Sequence, residues 1–141
     1  MSGIRPARDP DTWGVFAAAA DGRVVVGECS SCRAVLHLPR PYCHRCGSFE
    51  VGWRTVAGRG RLWSWTTVHQ SIHPAFEAPY TVVVVELDDE PGVRLVGRVP
   101  GEPDLEIGMA LVARFEPLGG DGDGALVQWD PAEDRRNAWV S

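Results

Sequence analysis

Four cysteines stand as two pairs, Cys29-Ser30-Ser31-Cys32 and Cys43-His44-Arg45-Cys46, and the chain has no others. Two residues between cysteines let a tight turn aim both sulfurs at one point. Two such turns facing each other give four thiolates in a tetrahedron, the arrangement that suits a d¹⁰ zinc ion. Iron accepts the same S₄ cage. With four protein ligands no coordination position stays open, so the metal is expected to be one structural Zn²⁺ that builds a ribbon and performs no chemistry. Two disulfides would instead suit an exported protein. The opening stretch MSGIRPARDPD is charged and has no apolar run, so no signal peptide is expected, and the compartment expected is the reducing cytoplasm. A redox role for one pair would want a neighbouring βαβ pattern, which is not seen.

Other chemistry is sparse. There is no nucleophile elbow, Walker loop or dinucleotide fingerprint. Gly58-Arg59-Gly60 is a GxG between strands, which reads as a bend and offers no helix N-terminus to a phosphate. His69 and His73 are four apart, a metal-pair spacing only on a helix, and Pro74 argues against one. With Glu77 they could form an acid–base cluster of an independent acyl-transfer or hydrolytic enzyme; otherwise they are polar residues of a loop. His44 lies inside a knuckle and is expected to point outward. His37 could replace a missing cysteine ligand, but none is missing.

Six tryptophans are many for this length. Trp63 and Trp65 are expected on one face of a strand. If that face is outside, they mark a protein interface or a platform for stacking bases; if inside, they are core. A single-stranded nucleic-acid-binding protein is therefore a second reading, and the formal charge of -5 counts against it. Charge is uneven. Arg33, Arg40, Arg45, Arg54, Arg59 and Arg61 face a single acid, Glu50, in residues 33–61, while the rest of the chain is acidic, and every basic residue is Arg. Arginine forks suit phosphates and carboxylates.

The elements that must position these residues are mainly β. Residues 1–8 are expected to be flexible. Asp9 and Pro10 read as N-cap and first position of a short helix whose Trp13, Phe16, Ala17 and Ala20 form one apolar stripe. A helix this short must pack on something, its own domain or a partner. Strands are expected over 23–28 and 34–38 around the first knuckle, then 51–57, 61–70, 80–87, 93–99, 109–115 and 125–129. Gly47 follows Cys46 where a knuckle needs positive φ, and Arg33 stands at the equivalent place after Cys32. The near-continuous apolar run over 80–87 reads as a strand central in a curled sheet or barrel. Leu105 and Ile107 are expected to plug an open end, and Met109, Leu111, Ala113 and Phe115 to share a face. The whole gives an N-terminal arm and helix (1–22), a zinc ribbon (23–50), an OB-fold-like Greek-key β-barrel (51–132) and a tail (133–141) carrying Trp139. No apolar run approaches the ~20 residues that span a bilayer, so no membrane segment is expected.

One ordered set of motifs is specific in combination. Cys29-Ser-Ser-Cys32 is followed by Leu38-Pro-Arg-Pro-Tyr-Cys43-His-Arg-Cys46-Gly47-Ser48. Then come Gly58-Arg-Gly60, Trp63-Ser-Trp-Thr66, Pro79-Tyr80 before the valine run, Gly92-Val-Arg-Leu-Val-Gly97 and Ile107-Gly108-Met109. Over residues 12–130 this resembles the zinc-ribbon plus OB-fold proteins that accompany thiolase-like enzymes of acyl-CoA metabolism. The resemblance implies a non-catalytic subunit whose partner, thiolase-like or lipid-transfer-protein-like, carries the catalytic residues. Some members sit in acetoacetyl-CoA thiolase/synthase assemblies. Others complete aldolases that cleave steroid side-chain acyl-CoA thioesters, often with a MaoC-type hydratase. On that reading Trp13, Phe16, Trp63 and Trp65 are candidate partner contacts, and Arg40, Arg45 and Arg59 are candidates for the phosphates of CoA. Many members carry glycine where Arg33 stands, which puts the shape of the first knuckle in question.

Overall fold

The computed structural model describes residues 5–119 and 123–132. The elements run α1 (Trp13–Ala20), β1 (Val24–Cys29), β2 (Val35–Leu36), β3 (Val51–Val56), β4 (Arg59–Val68), β5 (Tyr80–Leu87), β6 (Arg94–Pro100), β7 (Ala110–Pro117) and β8 (Ala125–Pro131). The expected tail over 133–141, with Trp139, lies outside the described residues.

Two antiparallel sheets form. The first has the order β2-β1-β3, and its middle strand β1 is buried along its whole length. The second has the order β6-β5-β4-β7-β8. Val24 and Val26 of β1 and Val56 of β3 enter the same core as Leu62, Val83, Val85, Leu87, Leu111 and Trp129. A satellite core of Cys29, Ala34, Leu36 and Cys43 lies under the knuckles. The ribbon thus shares its apolar surface with the larger sheet, which suits a segment too short to bury much by itself.

The expected barrel does not close. The five-stranded sheet curls until its edges β6 and β8 approach, but no ladder joins them. Side chains bridge the seam: the Arg98 N–H donates to Gln128 Oε1 at 2.6 Å, and the Arg114 guanidinium reaches the Arg98 carbonyl at 3.4 Å. The buried indole of Trp129 lies on Gly97, where a Cβ would stand 2.5 Å from Trp129 Cδ1. The indole fills the space a direct strand pairing would need, and its Nε1 is buried without a partner.

Several local expectations shift. The regular helix starts at Trp13, not Pro10, with Thr12 at its N-cap position; Asp9 caps the preceding turn, accepting from Asp11 N on Oδ1 at 2.7 Å and from Trp13 N on its carbonyl at 2.8 Å. The buried face of α1 is Ala18 and Ala19, while Ala20 is exposed, because small side chains let the helix lie close against β8 and β1. Arg5 and Arg8 are anchored, not free: Arg5 donates to the Gly119 carbonyl at 2.7 Å, and Arg8 pairs with Asp123 and stacks on Trp13. Strand β5 is central, paired by β6 and β4 as expected, but its apolar run is buried on alternate residues only, Thr81, Val83, Val85 and Leu87, so Val82 and Val84 lie on the outer face of the sheet. Leu105 packs on the core, but Ile107 is exposed. Met109, Leu111, Ala113 and Phe115 do share the core face.

Trp63 and Trp65 do not share a face. The register between β4 and β5 shifts between Leu62 and Ser64, a bulge at Trp63. Leu62 lies opposite Val85 and is buried in the core, and after the bulge Trp65 lies opposite Val83 on the same side of the sheet but stands 39% exposed, outside the packed cluster. Trp63 lies on the outer side, beneath the Arg94 guanidinium at 3.8 Å. The extra residue breaks the alternation that strict period-2 reasoning assumes.

Candidate metal centre and the surfaces around it

Each knuckle is built by the same backbone bonds. In the first, Arg33 N donates to the Cys29 carbonyl at 2.9 Å and Cys29 N to the Ala34 carbonyl at 2.9 Å. In the second, Gly47 N donates to the Cys43 carbonyl at 2.8 Å and Cys43 N to the Ser48 carbonyl at 2.8 Å. The turn needs a left-handed residue after the second cysteine. Gly47 takes φ 78° as expected, and Arg33 takes φ 66°, so the first knuckle keeps its shape at the cost of a strained side-chain-bearing residue. Arg33 gains in return a contact with Glu28 at 3.5 Å. The knuckles are tied together by Ser31 Oγ and Ser48 Oγ at 3.0 Å and by Ser30 N to the Glu50 carbonyl at 2.7 Å.

The four sulfurs converge, all within 4.8 Å of one another, with Cys29–Cys46 at 3.6 Å and Cys32–Cys43 at 3.7 Å. Four sulfurs each about 2.3 Å from a central zinc stand about 3.8 Å apart, so the cage has the size of a Zn–S₄ tetrahedron. Backbone N–H groups point at the sulfurs: Cys32 N to Cys29 Sγ, and Arg45 N and Cys46 N to Cys43 Sγ. The Cys32 N–H, against the opposing effect of burial, lowers the Cys29 thiol to about 6. The Cys46 N–H likewise holds Cys43 below its ordinary range. At Cys46 the Ser48 N–H also favours the thiolate, yet the neighbouring sulfurs, Cys29 first, and burial outweigh it and push the thiol up to about 11. Four packed sulfurs cannot all ionise without a cation between them, and Zn²⁺ supplies it. Cys29 and Cys43 are buried, and Cys32 and Cys46 lie at the surface, so one side of the cage faces outward.

A second constellation, not read from the sequence, clamps the ribbon. Arg54 on β3 donates Nε to Glu28 Oε2 at 2.7 Å, pairs with Glu90 in the β5–β6 turn, and donates Nη2 to the Arg33 carbonyl at 3.2 Å. One guanidinium therefore joins β1, the first knuckle and the larger sheet. Nothing in the spacing of residues 28, 54 and 90 announces this; the sheet pairing creates it. His37 adds a further tie, its Nε2 donating to the Arg94 carbonyl at 2.9 Å.

The other candidates scatter. Arg40, Arg45 and Arg59 are exposed, and among the described residues no hydrogen bond or ion pair engages their side chains; they lie after β2, in the second knuckle and at the start of β4. His69 faces Glu102 at 3.7 Å, His73 Nδ1 accepts from Ala75 N, and Glu77 is exposed without a contact to either, so no acid–base cluster forms. Trp13 packs on Phe16 and over Gly124, inside the chain's own fold. Phe16 lines a cleft of 440 Å³ between α1, β1, β6 and β8. With Trp63 and Trp65 on opposite faces, the pair offers no shared platform for bases. Tyr42 and Phe49, which flank the second knuckle, are exposed as a tilted pair 6.1 Å apart, a surface feature the sequence reading passed over.

Fold and cage together define a zinc ribbon fused to an OB-type sheet. Residues 16–52 match the family model of the ChsH2 rubredoxin-like zinc ribbon domain, and residues 53–116 match that of the ChsH2 C-terminal OB-fold domain. The chain belongs to this ChsH2 family. It is similar to a solved "Ltp2-ChsH2(DUF35) aldolase" chain, at 36% identity and a TM-score of 0.80, covering 90% of this chain and 98% of that one. It is 45% identical over 112 residues to a "probable enoyl-CoA hydratase alpha subunit" of Thermomonospora curvata, covering 77% of this chain and 34% of the relative. It is 26% identical over 97 residues to the "3-oxo-4,17-pregnadiene-20-carboxyl-CoA hydratase alpha subunit" of Mycobacterium tuberculosis, covering 69% of this chain and 30% of the relative. The chain spans about a third of the length of these two relatives. Among the described residues no helix is long and apolar enough to cross a membrane.

Proposed function

We propose that this chain is a non-catalytic subunit that binds and stabilises a lipid-transfer-protein-like enzyme of the thiolase superfamily, and that the pair cleaves a carbon–carbon bond in an acyl-CoA thioester. The observation that carries the reading is the match to the aldolase chain, which extends over 98% of that chain and so is not a shared ribbon alone. The two hydratase-subunit relatives support an acyl-CoA setting, with a MaoC-type hydratase as a further partner, and the mycobacterial one supports a steroid side chain as the acyl group. In this division of labour the partner supplies the base that deprotonates the β-hydroxyl, which leaves as a carbonyl when the carbon–carbon bond breaks, and the acid that protonates the enolate left on the shortened acyl-CoA. This chain supplies a shape held by zinc, with Tyr42, Phe49 and Trp63 as exposed apolar anchors and the unpaired Arg40, Arg45 and Arg59 as cations open to the phosphates of CoA.

Co-expression with a lipid-transfer-protein-like gene tests this. The expected result is a co-purifying complex that cleaves a β-hydroxyacyl-CoA, with each chain inactive alone. A partner that is fully active without this chain, or no complex with any thiolase-superfamily protein tried, refutes it.

A further inference from the structure

The outward side of the zinc cage offers chemistry that a purely structural site does not use. Each knuckle contributes one buried and one exposed cysteine, with Cys29 and Cys43 inside and Cys32 and Cys46 at the surface. The exposed sulfur of one knuckle stands beside the buried sulfur of the other: Cys46 is 3.6 Å from Cys29, and Cys32 is 3.7 Å from Cys43. The buried pair is shielded further by backbone donors, Cys32 N to Cys29 Sγ at 3.4 Å, and Arg45 N and Cys46 N to Cys43 Sγ at 3.3 and 3.5 Å. Arg33, 72% exposed, follows Cys32, and the exposed Arg45 precedes Cys46, so a cation adjoins each surface sulfur in the chain. An exposed thiolate beside a cation, with a second sulfur in reach to resolve it, is the arrangement of redox-sensing cysteines.

We propose that Cys32 and Cys46 are sites of oxidation by hydroperoxides, each resolved by the buried sulfur of the opposite knuckle. In the first step the exposed thiolate attacks one oxygen of hydrogen peroxide. The S–O bond forms, the O–O bond breaks and hydroxide leaves, so the sulfur is oxidised to a sulfenic acid by the two electrons that reduce the peroxide. In the second step the buried thiolate attacks that sulfur. The S–O bond breaks, a second hydroxide leaves, and a disulfide forms, Cys32–Cys43 or Cys46–Cys29. Both hydroxides take protons from the solvent. The disulfide withdraws two of the four sulfurs from the cage, and zinc release is the readout. This does not rest on the partner reading, since the cage belongs to this chain alone.

The test uses the full zinc-loaded chain. A substoichiometric dose of hydrogen peroxide with dimedone, which traps sulfenic acids, is followed by peptide mass mapping. Adducts are expected on Cys32 and Cys46, at least about fivefold above Cys29 and Cys43, the selectivity that access imposes. Without dimedone, zinc should appear in solution in step with disulfides between the knuckles, and dithiothreitol with added zinc should reverse both. Cys32→His keeps a four-ligand cage of the Cys₃His type and leaves Cys46–Cys29 as the disulfide formed, with zinc release slowed about twofold; if that variant does not hold zinc, the dimedone map of the parent decides. Adducts first on Cys29 or Cys43, or spread evenly over all four, overturn the assignment of the attacked sulfurs. Disulfides within a pair, Cys29–Cys32 or Cys43–Cys46, overturn resolution across the knuckles. Zinc retained under a large excess of peroxide overturns the proposal as a whole.

Discussion

Replacing Arg54 by Met tests whether one guanidinium holds the ribbon to the larger sheet. Arg54 is partly buried, with 29% of its side chain exposed, and its two carboxylate partners Glu28 and Glu90 are 11% and 20% exposed. The substitution keeps the aliphatic stem and removes the charge. Glu28 is then left nearly buried with only Arg33 at 3.5 Å, on a side chain that is 72% exposed. Removing one member of a fully buried pair costs ~3–5 kcal/mol, because the other charge stays desolvated. Partial exposure of Arg54 lets water reach the vacated space, so about 2–3 kcal/mol is expected here. That corresponds to a fall in Tm of roughly 6–10 °C for a chain of this size. Urea unfolding at saturating zinc measures the loss, and a double-mutant cycle with Glu90→Gln isolates the pair, with a coupling of about 1 kcal/mol or more expected. The reverse removal, Glu28→Gln with Arg54→Met, should recover part of the loss, since no uncompensated charge remains. A change below ~0.5 kcal/mol for Arg54→Met, or no coupling to Glu90, would refute the clamp.

Three further outcomes are expected. Cys43→Ser removes a buried ligand and should release the zinc, unfold the ribbon and abolish partner binding, since structural zinc sites contribute about 10–16 kcal/mol of folding free energy; an intact complex carrying the substitution contradicts the structural role. Gly97→Ala places a Cβ 2.5 Å from the Trp129 ring at the β6–β8 seam and should destabilise by about 1–3 kcal/mol with a changed near-ultraviolet Trp signal; an unchanged spectrum and midpoint would show the seam to be loose. The Arg8 guanidinium beside Asp123 holds its carboxyl below the usual range. The anchoring is thus fully present above the unfolded carboxylate value near 4 and is lost as pH falls through the lower folded value. The protection factors of the amides over residues 5–12, taken against the intrinsic exchange rate at each pH, should therefore fall in acid, and Asp123→Asn should show the low protection already at neutral pH; a protection factor in the parent that does not change with pH contradicts this.

The metal site was legible because its ligands are local. Each pair needs only a two-residue turn, and the residue that follows the pair announces the turn's handedness, with Gly47 favouring it and Arg33 tolerating it. The strands were legible where alternation or β-branched runs were long, as over 80–87. Misreadings arose where a single residue changed phase or where packing outranked pattern. The bulge at Trp63 reversed the face of everything after it on β4, and no residue type marks that position in advance. On α1 the large side chains suggested the buried stripe, but Ala18 and Ala19 lie inside because close approach to β8 rewards small residues. The Glu28–Arg54–Glu90 clamp joins positions 26 and 36 residues apart, a separation that sequence spacing cannot connect.

By itself the chain's sequence determined the chemistry of the metal, the mainly β architecture and the membership in a family of ribbon–sheet proteins. These follow from short-range rules: ligand spacing, turn residues and hydrophobic period. The tertiary structure alone decided that the curled sheet stays open at β6 and β8, that the ribbon shares its core with that sheet, and that an acid-free apolar cleft lies beside the seam. The physical reason is common to all three. Each depends on how far two non-adjacent surfaces can approach before side chains such as Trp129 fill the space between them, and that distance is a property of the packed chain.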